Sequence, residues 1–318
     1  MGTQLATIRE TAPALNFSSA FFDSWVKYID AKPSTAASYT RAIRQFRAYL
    51  QAHAINFPQR EDVIQFREAL KTAGRKPTTI QAYMQAVKLF FQWTEQEGLY
   101  SNIADHIKGA KLEQGHKRDY LTARQAGKLL DSIDREKIGG KRDYAILVTM
   151  LTSGLRTIEV VRANIGDLRT VADFLALYVQ GKGRDEKTEY VKVVEEADEA
   201  IREYLKARRD EGEILLDDSP LFASVANRNH FKRLTTRSVS RLVKQHLQGI
   251  GIDDSRHTAH SLRHTAATLN LLNGGTVEET QQLLRHTNIN TTMIYSHALE
   301  RAKNNSEQNI AGAIFGKR

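Results

Sequence analysis

The sequence contains no cysteine in its 318 residues. This absence excludes disulfide bonds, thiolate catalysis, zinc sites built on cysteine and iron–sulfur clusters, and it fits a reducing cytosol. No apolar run approaches the roughly 18 residues that a membrane-spanning helix requires. A secretory signal is not predicted either, because Arg9 and Glu10 precede any long apolar stretch.

Acidic side chains are in the minority. The chain has 37 Asp and Glu against 46 Lys and Arg, which gives a formal net charge of +9 and a pI of about 9.6. The excess favours a polyanionic partner, with nucleic acid ahead of an anionic membrane, although charge alone does not decide between a partner and simple hydration. The length predicts about two domains with a sizeable core.

Residues 17–107 have helical periodicity and almost no strand signal, so they predict an all-α domain. One helix is expected to begin with Ser34 as its N-cap, and another near Pro77, which suits a first helical position, with Gly98 as its stop. The apolar residues expected to face inward are Tyr39, Ile43, Phe46, Leu50, Ile80, Met84, Val87 and Phe91.

Basic residues accompany these helices and the turn between them. Each one alone is most simply a hydrated surface charge, but together they suit contacts with a phosphate backbone. The candidates are Arg41, Arg44, Arg47, Arg75 and Lys76. Residues 108–120 have little apolar content, two glycines and further cations, including Lys117 and Arg118, and they predict an exposed linker that lies along such a backbone.

A second domain is expected over residues 121–318, because Thr122 and Gln125 have the spacing of a capping box. It is predicted to be mainly helical, with one strand pair at 174–180 and 189–194. Lys182 lies in the turn of that hairpin, from which a long amine could reach a reacting oxygen. A lysine in a turn is, by itself, ordinary surface chemistry.

Three short segments carry the residue types that cleave a phosphodiester without a metal. They are TSGLRTIEV (152–160), AHSLRHTAATL (259–269) and LLRHTNINTTMIYSH (283–297). The reaction needs a nucleophile, cations for the non-bridging oxygens and an acid for the leaving alkoxide. Arg156 follows a predicted helix end at Gly154 and could fork onto a phosphate. His260 and Arg263 are one helical turn apart, so both side chains lie on the same face of a helix and can bind the same group.

Tyr295 is the candidate nucleophile. A phenol has a pKa of about 10 and attacks only where cations or donors stabilise its anion, which the arginines and His286 could do. A lone tyrosine in such a helix is more often a half-buried core residue, so the interpretation depends on these neighbours. His260 and His264 have a spacing that can hold zinc, but no third ligand follows and Arg263 would repel the ion. We therefore expect no metal, and a structural role for His264.

Taken together, the segments resemble the tyrosine recombinases, also called the phage-integrase or Xer-like family of site-specific DNA recombinases. TSGLRTIEV is similar to the family's first box, with Arg156 and the acid Glu159 three positions later. GKG resembles the turn of the catalytic lysine, HSLRH the His-x-x-Arg box, and the last segment the part with the second histidine and the tyrosine. The family typically has glycine before that histidine, and this sequence has Arg285, which could contact DNA or alter how the final helices approach.

The resemblance implies a mainly α, two-domain clamp around duplex DNA: an N-terminal SAM-like core-binding domain and a mixed α/β catalytic domain with a small sheet. Tyr295 would attack the scissile phosphate, form a 3′-phosphotyrosine and free a 5′-hydroxyl, and Lys182 would protonate that oxygen. The phosphate would be held by Arg156, His260, Arg263 and His286. Glu159 would position the site. Religation and strand exchange through a Holliday junction would then need no cofactor, metal or ATP.

The C-terminal segment is polar and then apolar, with Ile310, Ala313, Ile314 and Phe315 at helical spacing. In relatives such a tail docks on a neighbouring protomer, so we expect a homotetramer on a specific site in double-stranded DNA, in the cytoplasm and on the nucleoid. Docking on its own domain is the alternative. Two other functions stay open: a type IB topoisomerase-like nicking and closing enzyme, and a catalytically silent DNA-binding regulator.

Overall fold

The computed structural model describes residues 19–111, 119–181, 186–303 and 305–316. They form two compact units, whose boundary in the sequence lies between Gln114 and Gly115. Most of both units is α-helical, and the three-stranded antiparallel sheet found in the described residues belongs to the second unit. The mainly helical fold class predicted from the sequence is confirmed.

The first unit is built from α1 (Ser19–Tyr28), α2 (Pro33–Ala52), α3 (Arg60–Thr72) and α4 (Pro77–Gln96). Both α2 and α4 begin with proline, whose fixed φ suits a first helical residue and whose missing N–H costs no hydrogen bond there. The prediction of Ser34 as an N-cap is therefore wrong. Lys32 occupies the cap position, and Ser34 lies in the first turn, where its carbonyl accepts from Ser38 Oγ at 2.9 Å.

The core of this unit is rich in aromatic rings. The apolar residues predicted to face inward are buried, except Tyr39, which is partly buried. Trp25 of α1 packs edge-on against Phe90 of α4, and Phe46 of α2 packs in the same way against Phe66 and Phe91. Edge-to-face rings fix the helix contacts more specifically than aliphatic packing alone.

The second unit contains nine further helices in the described residues. They are α5 (Ala123–Asp131), α6 (Ile138–Ser153), α7 (Thr157–Arg162), α8 (Glu195–Asp210), α9 (Thr236–Gly249), α10 (Ala259–Leu272), α11 (Val277–Leu284), α12 (Asn290–Lys303) and α13 (Ser306–Phe315). Every residue from 145 to 150 of α6 is buried, and α8 and α10 pack against this helix, so α6 is the centre of the core. The predicted capping box starts α5, where Thr122 Oγ1 accepts from the Gln125 N–H at 3.2 Å.

The sheet consists of β1 (Leu168–Val171), β2 (Phe174–Val179) and β3 (Glu189–Lys192) in the order β1-β2-β3. The predicted hairpin of β2 and β3 is confirmed, with Leu177 opposite Val191. Strand β1 was not predicted, because it is only four residues long and includes the polar Arg169 and Thr170. Lys182, in the connection between β2 and β3, lies outside the described residues.

Two helix ends meet where the candidate residues lie. The α6 helix ends at Gly154, which adopts a left-handed φ of +61°. A Cβ on Gly154 would lie 2.8 Å from Cδ2 of Leu284, the last residue of α11. A side chain at residue 154 therefore requires the buried Leu284 side chain to shift.

We expect Gly154→Ala to destabilise the second unit more than Gly212→Ala does. Both positions have positive φ, so both variants share the cost of a left-handed alanine, about 1–2 kcal/mol. Only Gly154 lacks room for the methyl group, since nothing lies within 4 Å of a Cβ on Gly212. Overpacking should add about 1–3 kcal/mol to the loss at Gly154. Urea unfolding of the two variants measures the difference, and equal losses would contradict the close approach.

Candidate active site

Arg156 lies in the N-cap position of α7, immediately after the break between α6 and α7 that the sequence predicts. Its backbone N–H donates to Glu159 Oε2 at 2.7 Å, and its guanidinium Nη1 donates to Glu159 Oε1 at 2.9 Å. The Glu159 side chain is fully buried, whereas that of Arg156 is 27% exposed. The guanidinium is therefore fixed on one side by the carboxylate and reachable by an anion on the other.

Arg263 of α10 joins the two helix ends. Its Nη1 donates to the Gly154 carbonyl at 2.5 Å, and its Nη2 donates to the Leu284 carbonyl. The residue is 1% exposed. Burial, followed by the nearby charge of Arg156, lowers the pKa of Arg263 to about 9, so it stays cationic at neutral pH. One buried cation thus holds the segments that carry Arg156 and His286.

His286 follows the end of α11, and its backbone N–H donates to the Gln281 carbonyl at 3.1 Å. Its ring Nδ1 lies 2.9 Å from Thr292 Oγ1 of α12, a contact that fixes the orientation of the imidazole. Burial lowers the pKa of His286 to about 4, with further lowering by surrounding cations. These cations are Arg263, Arg156 and Arg285, and His260 adds to them when it is protonated. The imidazole is therefore neutral at pH 7.

Tyr295 of α12 is 6% exposed and packs against Ala267 and Leu284. Its ring lies 5.1 Å from that of His264, and the His264 ring lies 5.1 Å from that of His260, both edge-on. Burial raises the pKa of Tyr295, and the charges of Arg263 and Arg156 oppose that rise only in part. The phenol is therefore protonated at neutral pH.

Arg285 turns into the protein. It ends α11 in a left-handed conformation with φ +54°, and its side chain is 5% exposed. Its Nη2 donates to Glu159 Oε2 at 2.8 Å, and its Nη1 donates to the Leu283 carbonyl at 2.8 Å. The residue that departs from the family pattern is thus a partner of Glu159.

Glu159 is the shared anion of this cluster. Burial alone would raise its pKa, but the charge of Arg285, the bonds and charge of Arg156, and the charge of Arg263 outweigh burial and lower it. The carboxylate is therefore ionised together with three guanidinium groups, which leaves two positive charges in excess. Such a cluster attracts an anion.

Arg156 and His260 also line one cleft, with a volume of about 420 Å³. Its other walls include Lys244, His257, Thr157 and Ser255. His260 itself is exposed near the start of α10. The structure therefore brings together five of the six predicted catalytic positions and the supporting Glu159.

The predicted backbone-contacting residues belong to the first unit and the linker. Arg41 and Arg44 are exposed on α2, and Arg75 and Lys76 are exposed just before α4. Arg47 is partly buried, with its guanidinium carbon 6.0 Å from the centre of the Phe22 ring. Lys117 and Arg118 lie outside the described residues, as does the predicted catalytic Lys182.

Sequence reasoning missed two features of the site. The first is the contact of Thr292 with His286. The position of Thr292, one helical turn before Tyr295, indicated that it could lie near the site, but the spacing does not show which way its hydroxyl points. The second is the inward orientation of Arg285, which no sequence pattern indicated, because it depends on Glu159, 126 residues away in sequence.

Over the described ranges, no group of three or more His, Asp or Glu residues is arranged to hold a metal ion. In that same portion of the chain, no helix is both long enough and apolar enough to cross a bilayer.

Two family profiles match the sequence. The phage integrase family matches residues 119–301, which is more than half of the chain, and the phage integrase N-terminal SAM-like domain matches residues 22–98.

Curated relatives agree with this assignment. The chain is 38% identical to the tyrosine recombinase XerC of Caldanaerobacter subterraneus subsp. tengcongensis over 62% of this chain, a match that spans about half (52%) of that relative. It is 32% identical to the tyrosine recombinase XerC of Thermodesulfovibrio yellowstonii over 70% of this chain and 72% of that relative. It is 28% identical to the tyrosine recombinase XerD of Lacticaseibacillus casei over 86% of this chain and 92% of that relative.

Solved structures share the fold. The XerH site-specific recombinase bound to palindromic difH substrate matches with a TM-score of 0.72 at 20% identity, over 95% of this chain and 86% of that one. A lambda integrase dimer bound to a COC′ core site matches with a TM-score of 0.65 at 18% identity, over 85% of this chain and 95% of that one.

The resemblance found in the sequence segments is thus confirmed, together with the assignment to enzymes of the tyrosine-type, site-specific recombinase class. This chain belongs to the phage integrase family.

Proposed function

We propose that the chain cleaves and rejoins duplex DNA at a specific site through a 3′-phosphotyrosyl bond to Tyr295. In this proposal, strands are then exchanged through a Holliday junction. The observation that carries it is the convergence of two guanidinium groups and two imidazoles, from α7, α10 and the end of α11, near one tyrosine. No metal or ATP is required, because the phosphotyrosyl bond replaces the phosphodiester bond that breaks.

In the proposed step, Tyr295 Oη bonds to phosphorus, and the bond from phosphorus to the 5′ oxygen breaks. The phenol passes its proton to the neutral imidazole of His286, and the leaving 5′ oxygen gains a proton from another donor, for which the family resemblance suggests Lys182. The exposed side of Arg156 would hold one non-bridging oxygen. Two carbonyls occupy two of the five N–H groups of Arg263, so others can donate to the phosphate.

His286 supports the same oxygens as a neutral hydrogen-bonding group. Thr292 fixes its ring, and burial together with the surrounding cations keeps the imidazole uncharged in the free protein. A bound phosphate brings negative charge and opposes those cations. DNA binding should therefore raise the pKa of His286 and make the imidazole a better proton acceptor.

The first unit would contact the opposite side of the duplex, which completes the clamp. We propose a core-binding domain at 17–107, a linker at 108–120 and a catalytic domain at 121–318. The exposed cations on or beside α2 and α4 support a backbone contact. Contacts of this kind position a protein on DNA without reading its sequence.

Replacing Tyr295 with phenylalanine should abolish covalent attachment to DNA and leave DNA binding intact, since only the nucleophilic oxygen is lost. The assay incubates the protein in EDTA with supercoiled plasmids that carry candidate sites, then traps adducts with detergent and sizes the circles. Tyr144→Phe, which removes a hydroxyl at a partly buried position of α6, is the matched control and should behave as wild type.

The same assay separates the competing functions. Adducts together with strand-exchanged circles support the recombinase. Relaxation of the plasmid without exchanged circles would instead favour the topoisomerase-like enzyme. Binding to a verified site with no adduct would favour the silent regulator.

The stability of the second unit should fall as the pH drops from about 6.5 toward about 4. His286 has a pKa of about 4 in the folded protein and an ordinary value of 6.5, so the unfolded chain takes up the proton first. His286→Gln should remove this part of the acid sensitivity, whereas the same change at the exposed His230 should retain it. Urea unfolding across this pH range measures the slopes, and identical slopes in both variants would refute the assignment.

We also propose that α13 docks on a neighbouring protomer within a homotetramer on DNA. Ile310, Ile314 and Phe315 are exposed on this helix in the single chain, as a partner-covered surface would be. Truncation after residue 303 should abolish cooperative assembly on a full site and spare binding to a half-site. Ile214→Ser, at an even more exposed isoleucine outside the tail, is the control.

Electrophoretic mobility of half-site and full-site complexes measures both steps. Unchanged assembly after truncation would rule the docking out. A loss of half-site binding together with a lower thermal midpoint would indicate that α13 packs on its own domain instead.

A further inference from the structure

Arg285 occupies a position that disfavours any side chain. With φ +54° and ψ 47° it lies in the left-handed region, where glycine carries no penalty and arginine does. Its Nε is also buried without a hydrogen-bond partner among the described residues. Both features are unfavourable, so a compensating interaction is required at this position.

The compensating interaction is the pair with Glu159. Arg285 Nη2 lies 2.8 Å from Glu159 Oε2, the same oxygen that accepts from the Arg156 backbone N–H at 2.7 Å. The Arg285 side chain is 5% exposed and that of Glu159 is fully buried, so solvent screens the pair weakly. The Arg285 side chain therefore lies in the protein interior and not at the surface.

This pair runs beside the bridge that Arg263 makes. Arg263 links the backbone of residue 154 to that of residue 284. The pair links Arg285, the next residue after 284, to Glu159 in the first turn of α7, five residues after Gly154. Two neighbouring bridges resist rotation of one segment against the other, which a single bridge permits. Arg156 lies on one of these segments and His286 on the other.

The pair also changes the charge of the site. With Arg285 absent, Glu159 would neutralise one of the two remaining guanidinium groups, and a single excess positive charge would remain for the phosphate. With Arg285 present, two remain. The carboxylate can then orient Arg156 without cancelling its attraction for an anion.

We propose that Arg285 is a positioning residue of this site, which acts through Glu159 to hold the end of α11 against the start of α7 and to preserve the positive charge that Arg156 offers to the scissile phosphate. This inference deepens the proposed function and rests on it for the identity of the anion.

The test compares Arg285→Met, which keeps the apolar stem, with Arg285→Lys, which keeps the charge. Single-turnover formation of the Tyr295 adduct on a nicked half-site duplex is measured with half-site affinity at several salt concentrations. Arg285→Met should slow adduct formation about tenfold to 100-fold, short of the loss expected for a direct donor. Half-site affinity should fall only slightly, because one excess charge is lost, and the salt slope should stay as in wild type, because Arg285 itself contacts no phosphate. Arg285→Lys should recover part of the rate.

A second comparison asks whether the effect passes through Glu159. In a Glu159→Gln background, Arg285→Met should have little further effect on the rate, because the carboxylate that it serves is gone. An undiminished effect in that background would overturn the proposal. A weaker half-site affinity with a salt slope smaller by about one would overturn it differently, by showing a direct phosphate contact.

A readout without DNA keeps this inference separate from the proposed function. The charges that face His286 come from Arg263 and His260 on α10, Arg156 before α7, and Arg285, and Thr292 on α12 contacts its ring. NMR titration of His286 should show its pKa rising from about 4 in Arg285→Met. An unchanged pKa of His286 would contradict the role of Arg285, whether or not the wild type forms an adduct. A wild type that forms no adduct would instead contradict the proposed function.

Ala172→Gly is the backbone control. Ala172 has the same left-handed φ, +52°, in the exposed turn between β1 and β2, so its glycine variant reports the relief of that conformation alone. It should change neither the adduct rate nor the His286 titration. Arg285→Gly combines the same relief with loss of the pair, and it should be slow despite its more favourable backbone. A rate equal to that of wild type would show that the pair has no role in cleavage.

Discussion

The contact of Arg263 with the carbonyls of Gly154 and Leu284 is the constraint on which the site depends. Both carbonyls belong to helix ends, where the last residues of a helix lack intrahelical partners. A single buried guanidinium satisfies one from each helix. The same bonds that complete the two helix ends therefore set the separation of Arg156 and His286, and a cation that is needed for anion binding is also part of the fold.

Burial of so many cations is tolerable only because an anion is buried with them. Desolvation lowers the pKa values of Arg263 and Arg285, and Glu159 opposes that effect at both. Glu159 also holds Arg156 in place, because it accepts one hydrogen bond from the Arg156 backbone N–H and one from its guanidinium. The carboxylate thus serves first as a stabilising counter-ion. Because it also orients Arg156, the remaining positive charge faces the exposed side of that guanidinium.

Sequence reasoning succeeded where the signal is local. The helix beginning at Pro77, the capping box at Thr122, the break at Gly154 and the β2–β3 hairpin each follow from neighbouring residues, and the structure has all four. It failed at Ser34, where proline at the first helical position outweighed a good cap residue. It could not reach the Arg285–Glu159 pair, because long-range ion pairs leave no periodicity in a sequence.

The state of Tyr295 constrains the order of events in the proposed reaction. Burial keeps its phenol protonated, and the two arginines that would favour its anion are also those that would hold the phosphate. Once a phosphate is bound, its charge offsets theirs, so the phenol becomes no more acidic than before. The proton must then leave as the bond to phosphorus forms. A free protein with this geometry carries no reactive phenolate, and attack is coupled to the presence of DNA.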